Sequence, residues 1–128
     1  MSETVRGILV EAAFVDTAPL AAMPLQVTRR YVHRIEGTEA ANVLEVLVTA
    51  DQLPSIAARL AAITKPARYY SHFVGGGAIT VVFPNIVVTV WERDPESVLR
   101  AQMIGLTFGI PIKQMQFDHM FVTDHPDA

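Results

Sequence analysis

Arg68, Tyr70 and His72 fall on alternate positions of the run Arg68-Tyr69-Tyr70-Ser71-His72-Phe73. In a strand, alternate side chains share one face, so this spacing sets a guanidinium, a phenol and an imidazole side by side. A guanidinium holds a carboxylate through paired hydrogen bonds, and a phenol beside an imidazole can exchange protons with a bound molecule. These three residues are the candidate ligand-binding set, and Tyr70 and His72 are the acid–base pair if the protein is an enzyme. The same alternation has a plainer reading: one face packs aromatics into a core, and the other meets solvent or a second subunit.

Other residues with chemical potential are weaker. The C-terminal Asp118-His119 and Asp124-His125 offer oxygen and imidazole groups, but their spacing matches no tight ligand motif, so neither a metal nor any other cofactor is expected. Gly75-Gly76-Gly77 lacks the following helix N-terminus and the Lys-Ser/Thr of a phosphate loop, and a hairpin turn accounts for it. With no cysteine there is no thiol nucleophile, disulfide or thiolate site. No nucleophile elbow or Ser-His-Asp order is present. Glu11 and Glu45 lie in strand-like patterns, where an acid is expected to meet solvent or an arginine.

Hydrophobic periodicity indicates the elements that position these groups. Residues 6–15 read as a strand, and Asp16-Thr17 as the cap of a short helical turn stopped by Pro24. Residues 25–36 read as a long strand with two mixed faces, hence a sheet edge or half of a subunit contact. Residues 43–49 are apolar on both faces and belong in the sheet centre. Asp51 and Pro54 begin a helix whose Leu53, Ile56, Ala57, Leu60 and Ile63 recur at helical spacing. A three-stranded meander follows over residues 67–92, turning at the glycines and at Pro84-Asn85. Asp94-Pro95-Glu96 starts a second helix that points Val98, Leu99, Met103 and Leu106 inward and stops before Gly109. Residues 112–117 fit either a short strand or a helical turn.

From residue 43 this order matches the split βαβ arrangement of ferredoxin-like α+β domains, with both helices on one face and an added N-terminal strand–turn–strand unit. Residues 1–117 form the expected single domain, and 118–128 a polar tail. A chain of 128 residues suits one domain of about 100–200 residues.

Composition narrows the partners. A net charge of −3 with a pI near 5.7 argues against a general nucleic-acid or anionic-membrane binder. The one basic stretch, Arg29-Arg30-Tyr31-Val32-His33-Arg34, lacks the Arg/Lys-Gly-aromatic signature of an RNA-binding ferredoxin-like strand. No stretch reads as a signal peptide or a membrane span, and a cysteine-free chain is compatible with the cytoplasm. Apolar residues make up 51%, charged residues only 18%, and the mean hydropathy is +0.31. A small domain of that composition is expected to cover part of its surface with another subunit or a ligand.

Lys65-Pro66, Tyr70-Ser71-His72-Phe73, Val81-Val82-Phe83-Pro84-Asn85 and Gly105…Gly109-Ile110-Pro111…Gln114…Phe117, with the opening Arg6-Gly7-Ile8-Leu9-Val10-Glu11, form a set of short strings across nearly the whole chain. The set resembles a small, uncharacterised prokaryotic protein family. The resemblance implies a compact α+β fold in a stand-alone protein. It carries no activity, cofactor or functional residue with it.

The expected function is a non-catalytic homo-oligomer that binds a small molecule or a protein partner. The alternative is a small acid–base enzyme with Tyr70 and His72 in a pocket beside the sheet.

Overall fold

Alternation of β-branched and apolar residues builds a sheet first, and the helices then cover it. The computed structural model describes residues 3–34, 40–66 and 69–121. It shows a mixed α+β fold: six antiparallel strands and two α-helices. The strands are β1 Thr4–Val10, β2 Gln26–Arg34, β3 Ala40–Thr49, β4 Ser71–Gly75, β5 Ala78–Phe83 and β6 Ile86–Trp91. Helix α1 spans Leu53–Ile63 and α2 Pro95–Thr107. Short 3-10 turns occupy Glu11–Ala13, Ala18–Ala22 and Ile112–Gln114. The last of these gives residues 112–114 a helical turn, and no strand forms over 112–117. Among the described residues, no helix is long and apolar enough to cross a membrane.

The spatial order β2-β3-β1-β4-β5-β6 corrects the expected layout. The N-terminal strand is no appendage. It lies in the middle of the sheet, paired with β3 along its whole length and with β4 through Arg6, Gly7 and Ile8. Strands β3 and β4 both run antiparallel to β1, so the β3–α1–β4 connection joins parallel strands across it. Strand β2 is an edge, as its two mixed faces suggested.

Local chemistry explains the turns. Gly76 and Gly77 take φ of +63° and +75°, the pair of left-handed residues that a two-residue hairpin between Gly75 and Ala78 requires. Asn85 takes φ +58° at the β5–β6 turn, where asparagine tolerates that conformation better than most residues. The Asp94 carboxylate accepts from the Ser97 N–H and caps α2. Helix α1 has Gln52, not the expected Asp51, in its N-cap position, and the Gln52 side chain makes no capping hydrogen bond.

The two helices cover opposite faces, not one. Val82 joins the core of Leu9, Leu44, Val46 and Phe73 beneath Ile56, Ala57, Leu60 and Ala61 of α1. Its strand neighbours Val81 and Phe83 join Ile79, Val88 and Val90 beneath Ala101 of α2. Consecutive residues of one strand point to opposite faces, so β5 is buried on both sides. The chain after α2 then folds back, burying Ile110, Met115 and Phe117 in the second core.

Helix α2 packs through its small residues. Ser97, Ala101 and Gly105 are buried, whereas Leu99, Met103 and Leu106 are 58%, 58% and 45% exposed. The inward set expected for α2 is thus overturned, with only Val98 half-buried. A Cβ at Gly105 would lie 2.1 Å from the Met115 sulfur, so close approach of the returning chain selects the small-residue face.

A second close approach fixes the sheet centre. A Cβ on Gly7 would stand 2.4 Å from the ring of Phe73, which is fully buried on the neighbouring strand. Gly7→Ala must displace that ring, so urea unfolding is expected to show a loss of about 1–3 kcal/mol. An unchanged midpoint would mean that the ring moves aside at no cost.

Candidate functional site

Strand β4 and the residues just before it position the expected site. Tyr70 and His72 come together, with ring centroids 5.9 Å apart. Both belong to the α2 side of the sheet, and Arg68 lies outside the described residues.

Tyr70 is half-buried and packs through its ring and its hydroxyl. Its ring meets Phe83 at 5.9 Å and the edge of Phe117 at 5.5 Å between centroids. Its hydroxyl donates to the Gln114 carbonyl and lies 3.9 Å from the Met120 sulfur. Burial pushes the phenol pKa up from its ordinary value, because the phenolate would lose its hydration. At neutral pH this group therefore keeps its proton and acts as a donor to the backbone.

His72 is only 5% exposed. Registers across the sheet place it in the row Arg29, Glu45, Ile8, His72, Val81, Val88. The carboxylate of that row belongs to β3, one strand beyond Ile8, with Arg29 directly opposite it on β2. Glu11, which lies in the 3-10 turn after β1 and not in a strand as expected, meets Arg30 at 3.4 Å on the surface. The neighbouring Ser71 hydroxyl is buried and has no hydrogen-bond partner among the described residues.

No group of three or more histidines, cysteines or acids capable of holding a metal ion occurs among the described residues. Asp118 and His119 approach to 3.5 Å on the surface, and Asp124 and His125 lie outside the described residues.

A feature that sequence reasoning missed lies at the other end of the sheet. Trp91, Pro95, Val98, Leu99 and Phe121 line a surface hollow of about 400 Å³, together with Glu92, Arg93, Asp94, Gln102 and Asp118. The β6–α2 turn shapes it through Arg93, which adopts φ +60°. The Gln102 side-chain N–H donates to the Met115 carbonyl at 3.0 Å, tying the returning chain to α2. The lining is mostly apolar, and Glu92, Asp94, Asp118 and Arg93 are its charged members. The available signal was the single tryptophan just ahead of the Asp94-Pro95 cap. Neither Tyr70 nor His72 lines this hollow.

No protein-family model, curated protein or solved structure matches this chain.

Tyr70 offers a direct test of these assignments. A phenol whose folded pKa is raised stabilises the fold below its unfolded value, and that contribution is lost as pH rises above about 10. Stability is therefore expected to decline above that pH, and Tyr70→Phe to flatten the decline. At neutral pH the variant leaves the Gln114 carbonyl without its donor, costing about 1–2 kcal/mol. Urea titrations at several alkaline pH values check both, and identical pH profiles would contradict the assignment.

Proposed function

We propose that this protein is a non-catalytic module that works as a homo-oligomer and offers its surface to a small molecule or a protein partner. One observation carries the reading: α2 has a second apolar stripe, Leu99, Met103 and Leu106, on the side opposite its buried face. An amphipathic helix ordinarily turns such a stripe inward. Here the small residues take the inward positions, so three large side chains remain for another surface. Ile86, Val87 and Trp91 add to the exposed apolar area. The engagement of Tyr70 in packing supports the non-catalytic part of the reading.

We also read β1 to β4 as a ferredoxin-like unit. Their order, β4-β1-β3-β2, is the order of that fold's split βαβ halves. The 3-10 turns between β1 and β2 stand where such a unit has its first helix, and β5, β6 and α2 are the additions. Partners are neither nucleic acid nor membrane in this reading, given the acidic net charge. A chain without cysteines needs no oxidising compartment, and we assign it to the cytoplasm.

Sedimentation equilibrium at micromolar concentration is expected to give a multiple of the 14.0 kDa chain mass. Met103→Glu puts a charge in the middle of the exposed stripe. It is expected to weaken association roughly tenfold or more, since an unpaired charge at an apolar contact costs more than 1.4 kcal/mol. The monomer should keep its stability, because Met103 is outside the core. A strictly monomeric wild-type chain would end the reading.

A further inference from the structure

The sheet has two edges of opposite character. Strand β2 carries a bulge between Val27 and Arg29 and exposes Arg29 and Arg30, devices that discourage strand addition. A two-fold pairing of that edge would also bring like charges together. Strand β6 has no such defence. Its six residues, Ile86-Val87-Val88-Thr89-Val90-Trp91, contain no charge, no proline and no bulge.

The backbone of β6 shows where a partner would fit. The Glu92 N–H turns inward to the Gly77 carbonyl at 3.0 Å, and the Trp91 N–H turns outward to the Ser97 hydroxyl, also at 3.0 Å. Outward and inward groups alternate along an antiparallel strand, so Thr89 and Val87 also direct their N–H and C=O groups away from β5. At the turn before the strand, the Asn85 N–H is held by the Ala61 carbonyl at 3.0 Å. Both ends of the edge are closed within the chain. Among the described residues, nothing bonds the outward groups of Val87 and Thr89.

We propose that this open window is the seam between two copies of the chain, paired antiparallel about a two-fold axis at Val88. Two outward residues separated by one are their own complement. Turned about Val88, each Val87 faces the partner's Thr89, and such a pair exchanges both of its N–H···O bonds. On one face Val87 lies beside the partner's Thr89. On the other, Val88 meets the partner's Val88, and Ile86 meets the partner's Val90. These are β-branched pairs, which pack well across strands. The absence of charge means that nothing repels across the axis. The half-exposed Trp91 then reaches the partner's Asn85 turn. The proposal rests on the homo-oligomer reading above and adds to the α2 stripe a second contact between copies, along the β6 edge.

Thr89→Pro tests the seam, because it removes an N–H that bonds nothing among the described residues, and proline is tolerated on an edge strand in that orientation. The full-length variant is expected to keep wild-type circular dichroism and cooperative unfolding while its dimer dissociation constant rises roughly 100-fold, the loss of two hydrogen bonds, one from each copy. Thr89→Lys, which inserts a charge without constraining the backbone, is expected to weaken the dimer in the same direction and covers the case in which proline disturbs the strand. In the wild-type oligomer the Val87 and Thr89 amides should exchange more slowly as concentration rises. An oligomer that survives both Thr89 variants but not Met103→Glu would overturn the seam and leave the homo-oligomer reading intact. Concentration-independent exchange at both amides would overturn the seam as well. A monomeric wild-type chain would overturn both, and would leave the edge to a strand from another protein.

Discussion

Strand β1 joins two halves of the sheet that are otherwise separate within it. The β2–β3 hairpin lies on one side of β1 and the β4–β5–β6 meander on the other, and only β1 pairs with both. The junction works because Gly7 has no side chain. The ring of Phe73 occupies the space a Cβ would need, and Phe73 shares one core with Val46 and Leu44. A single glycine therefore brings an aromatic side chain of one half over the strand of the other. The core beneath α1 draws from both halves for the same reason: Val46 and Leu44 come from β3, Phe73 and Val82 from the meander. Such a junction is also costly in chain entropy, since it closes loops over much of the sequence before its contacts form.

The two cores are built by different means. Beneath α1, the burial of Ile56, Ala57, Leu60 and Ala61 follows the ordinary amphipathic rule. Beneath α2, contact is made by Ser97, Ala101 and Gly105, and bulk is supplied by residues that come later: Ile110, Met115 and Phe117. The Met115 side chain fills the space over Gly105. The Ser97 hydroxyl accepts from Trp91 and donates to the Asp94 carbonyl, so even the polar member of the small face is satisfied. Small residues let the helix approach closely, and the large apolar residues of α2 are turned to the outside in consequence.

Much of this was legible wherever a local rule decides the outcome. The Gly76-Gly77 and Pro84-Asn85 turns, the Asp94 cap and the inward face of α1 follow from backbone conformation or helical period alone. The position of β1 was not legible, because an alternating strand records which face is apolar but not which strand lies beside it. Helix α2 was misread for a definite reason. Its sequence carries two stripes at helical spacing, and the larger apolar one loses to the smaller because of Met115, a residue outside the helix. Tyr70 and His72 were correctly placed as neighbours. What their spacing could not reveal is that a carbonyl more than forty residues later, at Gln114, takes the Tyr70 proton donor.

Hydrogen bonding distinguishes groups committed to holding the fold from groups left open at the sheet edge. Buried Thr64 and Ser97 and half-buried Tyr70 each direct a hydroxyl to a backbone carbonyl, and Gln102 holds the returning chain by its amide. Groups engaged in this way hold the fold and have little freedom left for chemistry on a bound molecule. The edge of β6 presents the contrary case. Two residues with open backbone groups stand among β-branched neighbours, while the positions on either side are tied back into the chain. A strand left open by default would expose its whole length. An opening confined to Val87 and Thr89 instead limits the number of rungs that another strand can add, which fixes the register of pairing as well as its place. Register is the property that separates a defined dimer from indiscriminate edge-to-edge association.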